Sequence, residues 1–372
     1  MPTDVDSVVD VHPFSHGAVV EMETGLVGLS GDTGQEIWSY RVPGADSFDA
    51  DLSADAGHAV VRHATGQGEF TTILLDTVTG EVAENDVAWD GKTELINAER
   101  QLRRDSGDEG LLLEVADLFS GQSLWEQTEP VTCEGGGPSR QVRADTHAEA
   151  IVVLAYCADD VSEDALYSPE QPATHALVAL DPGTGAELWR HESTEDDTEG
   201  FSPEAEVVRF GGTLAVRFPG IREELLFDMA EGTLVAESPG TVLDVTETGF
   251  LAQMREEGGG FVHEFRGFDG EVVASVPLPE DFRGTIGRDD TVLLDEAMVW
   301  VQMERGTDGD VIDAGVTAWN GGEATVIGTG VVTESASTLE PGRLLRVPGA
   351  VLVYVPVRPE GPEAIEKIVA LR

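Results

Sequence analysis

Basic residues are scarce in this chain. Lysine and arginine together number 22 against 71 aspartates and glutamates, only Lys92 and Lys367 are lysines, and the formal net charge is −49. That balance argues against nucleic acid as a partner, because such binding draws on counterion release by a cationic footprint. Anionic membrane surfaces are disfavoured for the same reason. The excess charge reads as a solvated, self-repelling surface that keeps the chain soluble and monomeric. Long apolar runs are missing too: no stretch of about 18 apolar residues is present to cross a bilayer. The opening MPTDVDSVVD has neither the basic start nor the apolar core of a secretory signal. Either the chain is cytosolic, or an export or anchor segment precedes Met1.

Chemical signatures are equally sparse. No Gly-x-Ser-x-Gly, Walker loop or dinucleotide fingerprint occurs, which removes the enzyme classes that those motifs mark. His12 and His16, and His58 and His63, come in close pairs, but no cysteines or carboxylates surround them as a zinc site requires. Helical spacing with caps is nearly absent. What is present is alternation, as in LVALD, VVEME and MVWVQME, with frequent β-branched residues. At 372 residues and 41% hydrophobic, the chain can bury a large core, and its length points to a repetitive architecture.

The repeat is visible at Ala176–His191, ALVALDPGTGAELWRH, where Ala179, Asp181, Thr184, Gly185 and Trp189 are the fixed positions. Gly28, Ser30, Thr33, Gly34 and Trp38 repeat that spacing, as do Val115, Asp117, Ser120, Gly121 and Trp125. Weaker or shortened copies surround Gly80, Gly232, Gly270 and Gly321. The turn glycines at 34, 80, 121, 185, 232, 270 and 321 are thus 46, 41, 64, 47, 38 and 51 residues apart. Such a period means stacked supersecondary units. Within each unit the Asp side chain can bond backbone N–H groups ahead of it, and Gly supplies the φ > 0 that closes a hairpin. The Trp then falls on the next strand, where its ring can be buried against a neighbouring unit.

These repeats resemble the tryptophan-docking repeats of PQQ-like β-propellers, in which Ala-x-Asp-x-x-Thr-Gly-x-x-x-Trp recurs blade by blade. Ala179–Trp189 matches at every fixed position, the Trp38 and Trp125 copies match in part, and the others lack the Trp. The resemblance spans the chain as one domain, 1–372, and implies an all-β propeller of four-stranded antiparallel blades. Seven units, beginning near residues 5, 44, 91, 130, 200, 240 and 285, precede a group of three strands, GRLLRVP, AVLVYVPV and AIEKIVALR. Eight blades are expected, with seven as the alternative if the first and last units share strands. An open edge invites association, so the missing fourth strand is expected from the N-terminus, near Met1–Val9 or before it.

Cys133 precedes the inner strand expected near 139–144, and Cys157 ends the following strand, IVVLAYC. In an antiparallel meander these ends adjoin, so a Cys133–Cys157 disulfide is the reading and two buried free thiols the alternative. A disulfide implies an oxidising compartment. Two enlarged segments flank the pair, Thr128–Pro138 and Ala158–Pro172, on one face of the ring. Long loops on a rigid scaffold often carry binding, and Tyr156, Leu166 and Tyr167 would supply apolar and aromatic surface there.

Other clusters read as ordinary surface in so acidic a chain. Asp308, Asp310 and Asp313 lack the bidentate Glu and register of a calcium loop. Asp46, Asp49, Asp51 and Asp55 read the same way, and Arg100, Arg103 and Arg104 read as a turn that balances acidic neighbours.

The quinoprotein dehydrogenases of the resembled family hold PQQ with calcium at the ring centre, and the alcohol dehydrogenases among them add an adjacent Cys-Cys disulfide. No Cys-Cys dipeptide occurs here, and the chain is shorter than those enzymes. The resemblance therefore implies a non-enzymatic propeller with no cofactor, no metal and no catalytic residues. The expected role is protein binding or scaffolding at the cell envelope, anchored by a segment before Met1. The alternatives are an extracellular sensor domain, as of a receptor kinase, and, least favoured, a PQQ-dependent dehydrogenase.

Overall fold

The computed structural model describes residues 8–64, 66, 69–107, 110–133, 139–157, 173–195, 206–218, 223–255, 260–277, 288–294, 296–306, 309–318, 325–332, 343–354 and 368–371. Blade one comprises β1 (Val8–Phe14), β2 (Gly17–Met22), β3 (Gly25–Ser30) and β4 (Glu36–Arg41); blade two, β5 (Ser47–Leu52), β6 (His58–Ala64), β7 (Phe70–Asp76) and β8 (Val82–Asn85). Blade three holds β9 (Glu94–Asn97), β10 (Arg100–Gly107), β11 (Gly110–Asp117) and β12 (Ser123–Thr128); blade four, β13 (Ser139–His147), β14 (Ala150–Cys157), β15 (Ala173–Leu180) and β16 (Glu187–Glu195). Blade five is β17 (Glu206–Phe210), β18 (Thr213–Arg217), β19 (Glu224–Asp228) and β20 (Leu234–Ser238); blade six, β21 (Thr241–Val245), β22 (Gly249–Arg255), β23 (Phe261–Gly267) and β24 (Val272–Pro277). Blade seven is β25 (Thr291–Leu293), β26 (Ala297–Gly306), β27 (Gly309–Ala318) and β28 (Thr325–Val332). Blade eight has three described strands, β29 (Arg343–Val347), β30 (Ala350–Tyr354) and β31 (Ile368–Leu371). Every sheet is an antiparallel meander, and the protein is an eight-bladed β-propeller.

The second strands explain why the sequence shows apolar runs rather than clean alternation. A strand covered on both faces must be apolar throughout. All eight residues of β14 are buried. Its Ile151, Val153, Ala155 and Cys157 pack toward blade three, while Ala150, Val152 and Leu154 pack toward blade five. In the same way β26 sends Met298 and Trp300 toward blade six, and Val299 and Val301 toward blade eight. The buried side chains thus fall into eight clusters, one at each blade junction.

The cluster that closes the ring joins Val11, Ala18 and Val20 of blade one to Val347 and Leu352 of blade eight. Backbones also meet there: a Cβ on Gly31 would lie 1.6 Å from the Pro348 carbonyl oxygen. Eight blades, not seven, therefore make the circle. Val8 and Val9, expected in a donated fourth strand of blade eight, instead open β1, where Val8 pairs with Met22. Residues 1–7, the rest of that expected donor, lie outside the described residues.

The third and fourth strands share a further regularity. In seven blades their pairing slips at the same point, for example between Gly28 and Leu29, Val115 and Ala116, and Ala179 and Leu180. The extra residue in those three outer strands is Ile37, Leu124 or Leu188, each about half exposed, and the next residue is the Trp. A bulge of this kind re-aims the side chains beside it.

Candidate functional site

The Asp-led turns are held as their composition requires. Asp181 Oδ1 accepts the Gly183 N–H at 2.9 Å and the Thr184 hydroxyl at 2.8 Å, and the Gly185 N–H closes on the Asp181 carbonyl at 2.8 Å. Asp117 Oδ1 receives the Ser120 N–H and hydroxyl, and these bonds hold its pKa below the usual carboxylate value. Each tryptophan reaches such a turn in the next blade. The Trp38 indole N–H donates to the Thr77 carbonyl (2.7 Å), Trp125 to Pro182 (3.0 Å) and Trp189 to Met229 (2.8 Å). In each case the acceptor directly follows the turn Asp. At the junction of blades two and three the equivalent carbonyl, that of Leu118, instead takes the Ala88 backbone N–H at 2.7 Å.

At one end of blade four, Cys133 and Cys157 are disulfide-bonded, with Cα atoms 5.8 Å apart. The bond ties the segment entering β13 to the end of β14, where Cys157 pairs with Ser139. From there 15 residues separate β14 from β15, against two to six at the same place in blades one to three and five to seven. Leu166 and Tyr167 lie outside the described residues. Tyr156 does not supply the accessible aromatic surface expected of it. It is 3% exposed, and its ring lies 5.4 Å from His175, which in turn sits 5.9 Å from Phe218 of blade five. Its neighbour Cys157 faces blade three, so Tyr156 must face blade five.

At the opposite ends of the inner strands, near the ring axis, a cavity of about 760 Å³ opens. Blades one to five line it, through His12, Asp51, Glu94, Arg104, Asp145 and Arg209 among others. The Leu95 N–H donates to Asp51 Oδ2 at 2.6 Å, which links blades two and three. Burial, with the charge of Glu94 added, pushes the Asp51 carboxyl up to about 6 against that hydrogen bond. Burial alone would lower the His12 pKa. Bonding to Glu21, whose carboxylate lies 3.7 Å from Nε2, and the charges of Asp10, Glu21 and Asp51 raise it instead. Arg104 pairs with Glu94 and reaches the Ala144 carbonyl of blade four.

Farther round the axis, Glu224 is fully buried and receives Arg217, Arg288 and the Val242 N–H, so one carboxylate joins blades five, six and seven. Asp244 receives Arg346 and the Leu293 N–H, joining blades six, seven and eight.

Asp51 and Asp55, expected as ordinary surface, both line the cavity. Only the ring topology brings them there. Arg100, Arg103 and Arg104 disperse along β10: Arg103 lies 3.2 Å from Glu114 and 3.4 Å from Asp90, while Arg104 turns to the axis. Asp308 lies outside the described residues. Among the described residues no three His, Cys, Asp or Glu side chains are placed to share a metal ion, and no helix is long and apolar enough to cross a membrane.

No protein-family model matches the chain, and no curated protein does. Solved structures are similar to it over most of its length. BamB from Moraxella catarrhalis is 15% identical, covering 99% of this chain and 98% of its own, with a TM-score of 0.45. Saccharomyces cerevisiae Sqt1 is 10% identical over 100% and 97%, with a TM-score of 0.43, and the C-terminal WD40 domain of Sif2 is 10% identical over 99% and 97%, at 0.41. At such distances neither partner nor chemistry carries over.

Proposed function

We propose that this protein is a non-catalytic, extracytoplasmic propeller of the PQQ-like kind, which binds a protein partner at the cell envelope. The observation that carries the reading is the Cys133–Cys157 bond. Structural disulfides persist in oxidising compartments and are rare in the cytosol. This bond also ties together the bases of the segments at 134–138 and 158–172. Pinned bases lower the ordering entropy that an interface costs, so a partner is expected on that face of blade four. The repeated Asp-x-x-x-Gly turns, of which those led by Asp76, Asp181 and Asp228 receive a tryptophan from the blade before, support the PQQ-like assignment.

The test compares the intact protein with a variant lacking 160–170, each used as bait in envelope extract with captured proteins identified by mass spectrometry. A protein held by the intact bait and lost from the variant, with melting temperature unchanged, supports the reading. Equal capture by both contradicts it. A sensor domain is the second reading, and the charged axial cavity is the observation that favours it.

A further inference from the structure

Among the described side chains, the arginines near the ring axis are, with one exception, committed to carboxylates. Arg104 holds Glu94, Arg217 and Arg288 hold Glu224, and Arg346 holds Asp244. The exception is Arg209. Its Nη1 donates to the Thr146 carbonyl at 3.0 Å, and no described carboxylate lies within ion-pair distance. The uncompensated charge is felt locally: burial and then Arg209 lower the pKa of His147. The rest of the guanidinium fork is free at the cavity wall, and such a fork matches a carboxylate in two-point geometry.

The wall contributed by blades two and three has the opposite character. Asp51 and Glu94 stand close enough for the charge of one to disfavour ionisation of the other, and Asp51 Oδ2 is the atom occupied by the Leu95 N–H. A desolvated carboxylate beside a like charge gains most from an incoming cation. Asp145 adds a third carboxylate, from blade four. At about 760 Å³, the cavity falls within the usual range for small-molecule sites.

We propose that this axial cavity binds a small zwitterion, a free amino acid or a short peptide, with its ammonium at Asp51 and its carboxylate at Arg209. An amine alone would leave Arg209 unmatched, and a carboxylate alone would leave Asp51 unmatched, since Glu94 already holds Arg104 and the Thr146 hydroxyl. The site is independent of the blade-four face, because it lies at the other end of the inner strands.

Isothermal titration of the purified chain tests this, with the twenty amino acids, Ala-Ala and Ala-Ala-Ala as probes at millimolar concentration. Binding is expected for at least one probe, and whether the amino acids or the peptides bind distinguishes the two sources. Blocking the amine by acetylation or the carboxylate by amidation should each weaken that probe by about tenfold or more. R209Q should do the same without moving the melting temperature, and D51N should do the same while its melting temperature at neutral pH holds or rises, because it removes the cost of ionising Asp51. Near pH 6 the wild type should release protons on binding, seen as an enthalpy that depends on the buffer. D51N should lose that dependence, which a merely structural role would not produce. Absence of binding by every probe, equal binding of the blocked forms, or unchanged affinity in R209Q would overturn the proposal.

Discussion

The indole of Trp189 lies where a side chain on Gly232 would have to go. A Cβ built on that glycine falls 2.4 Å from the ring, and the glycine has φ of +68°, so two independent constraints meet at one residue. Trp189→Ala removes the ring and its bond to Met229, and a loss of about 3 kcal/mol is expected by urea denaturation. A loss below about 1 kcal/mol would show that the ring does not hold blades four and five together. Gly232→Ala should destabilise through both the clash and the left-handed backbone.

Ring closure makes a separate prediction. Gly31 leaves room for the Pro348 carbonyl of blade eight to pass at a distance that no Cβ tolerates. Gly31→Ala should therefore speed amide hydrogen exchange in β1, β2, β29 and β30 while leaving blades three to six protected. Uniform exchange behaviour in wild type and variant would mean that this contact does not close the ring.

Acid should unfold the protein through two histidines. Burial lowers the pKa of His175 and His263 to about 4, and His175 Nε2 and His263 Nδ1 have no hydrogen-bond partner among the described residues. In the unfolded chain both titrate near 6.5. Their contribution is thus complete above that value and is lost as pH falls toward 4, by up to about 3 kcal/mol each. Asp51 works in the other direction, because its folded pKa of about 6 exceeds the unfolded 3.8 and its ionisation costs stability as pH rises. His12 and Asp244, both raised, act with Asp51, while His63, His147 and His191, all lowered, act with the two buried histidines. The shifts of those two are the largest on their side, so urea midpoints should fall between about pH 7 and pH 4.5. A His175→Gln, His263→Gln variant should show a flatter profile.

Reduction of the disulfide gives a fourth test. The cysteines are 24 residues apart in sequence, and closing a loop of that size stabilises by roughly 3–4 kcal/mol in the chain-entropy model. Thermal unfolding with and without reductant measures it. Coincident transitions would assign the bond no stabilising role.

The blade count and strand order were legible because the hairpin turns carry their own local chemistry, in blades two to five an Asp whose side chain folds back and a glycine four residues on, in blade one Ser30 and Gly34 at the same spacing. Trp38, Trp125 and Trp189 were legible as rings set against a neighbouring blade, while the bond of each indole N–H to the next blade's turn depends on how the blades stack. At the second junction the signal vanished, since a backbone N–H from Ala88 takes the place of an indole and leaves no mark in the sequence. Tyr156 was misread because an eight-residue apolar strand looks like a route to a loop, when both its faces were destined for neighbouring blades. The cavity was invisible for a different reason: Asp51, Glu94, Asp145 and Arg209 meet only when five blades have turned about a common axis. The same holds for Arg288 and Glu206, an ion pair 82 residues apart.

The redox state of Cys133 and Cys157 in the living cell bears most directly on the proposed setting. Cells that make the protein would be quenched in acid, denatured, treated with an alkylating reagent without prior reduction, and the purified chain weighed by mass spectrometry. An unmodified, oxidised chain is the predicted result. Two alkyl groups on the chain would place it in a reducing compartment and contradict the extracytoplasmic reading.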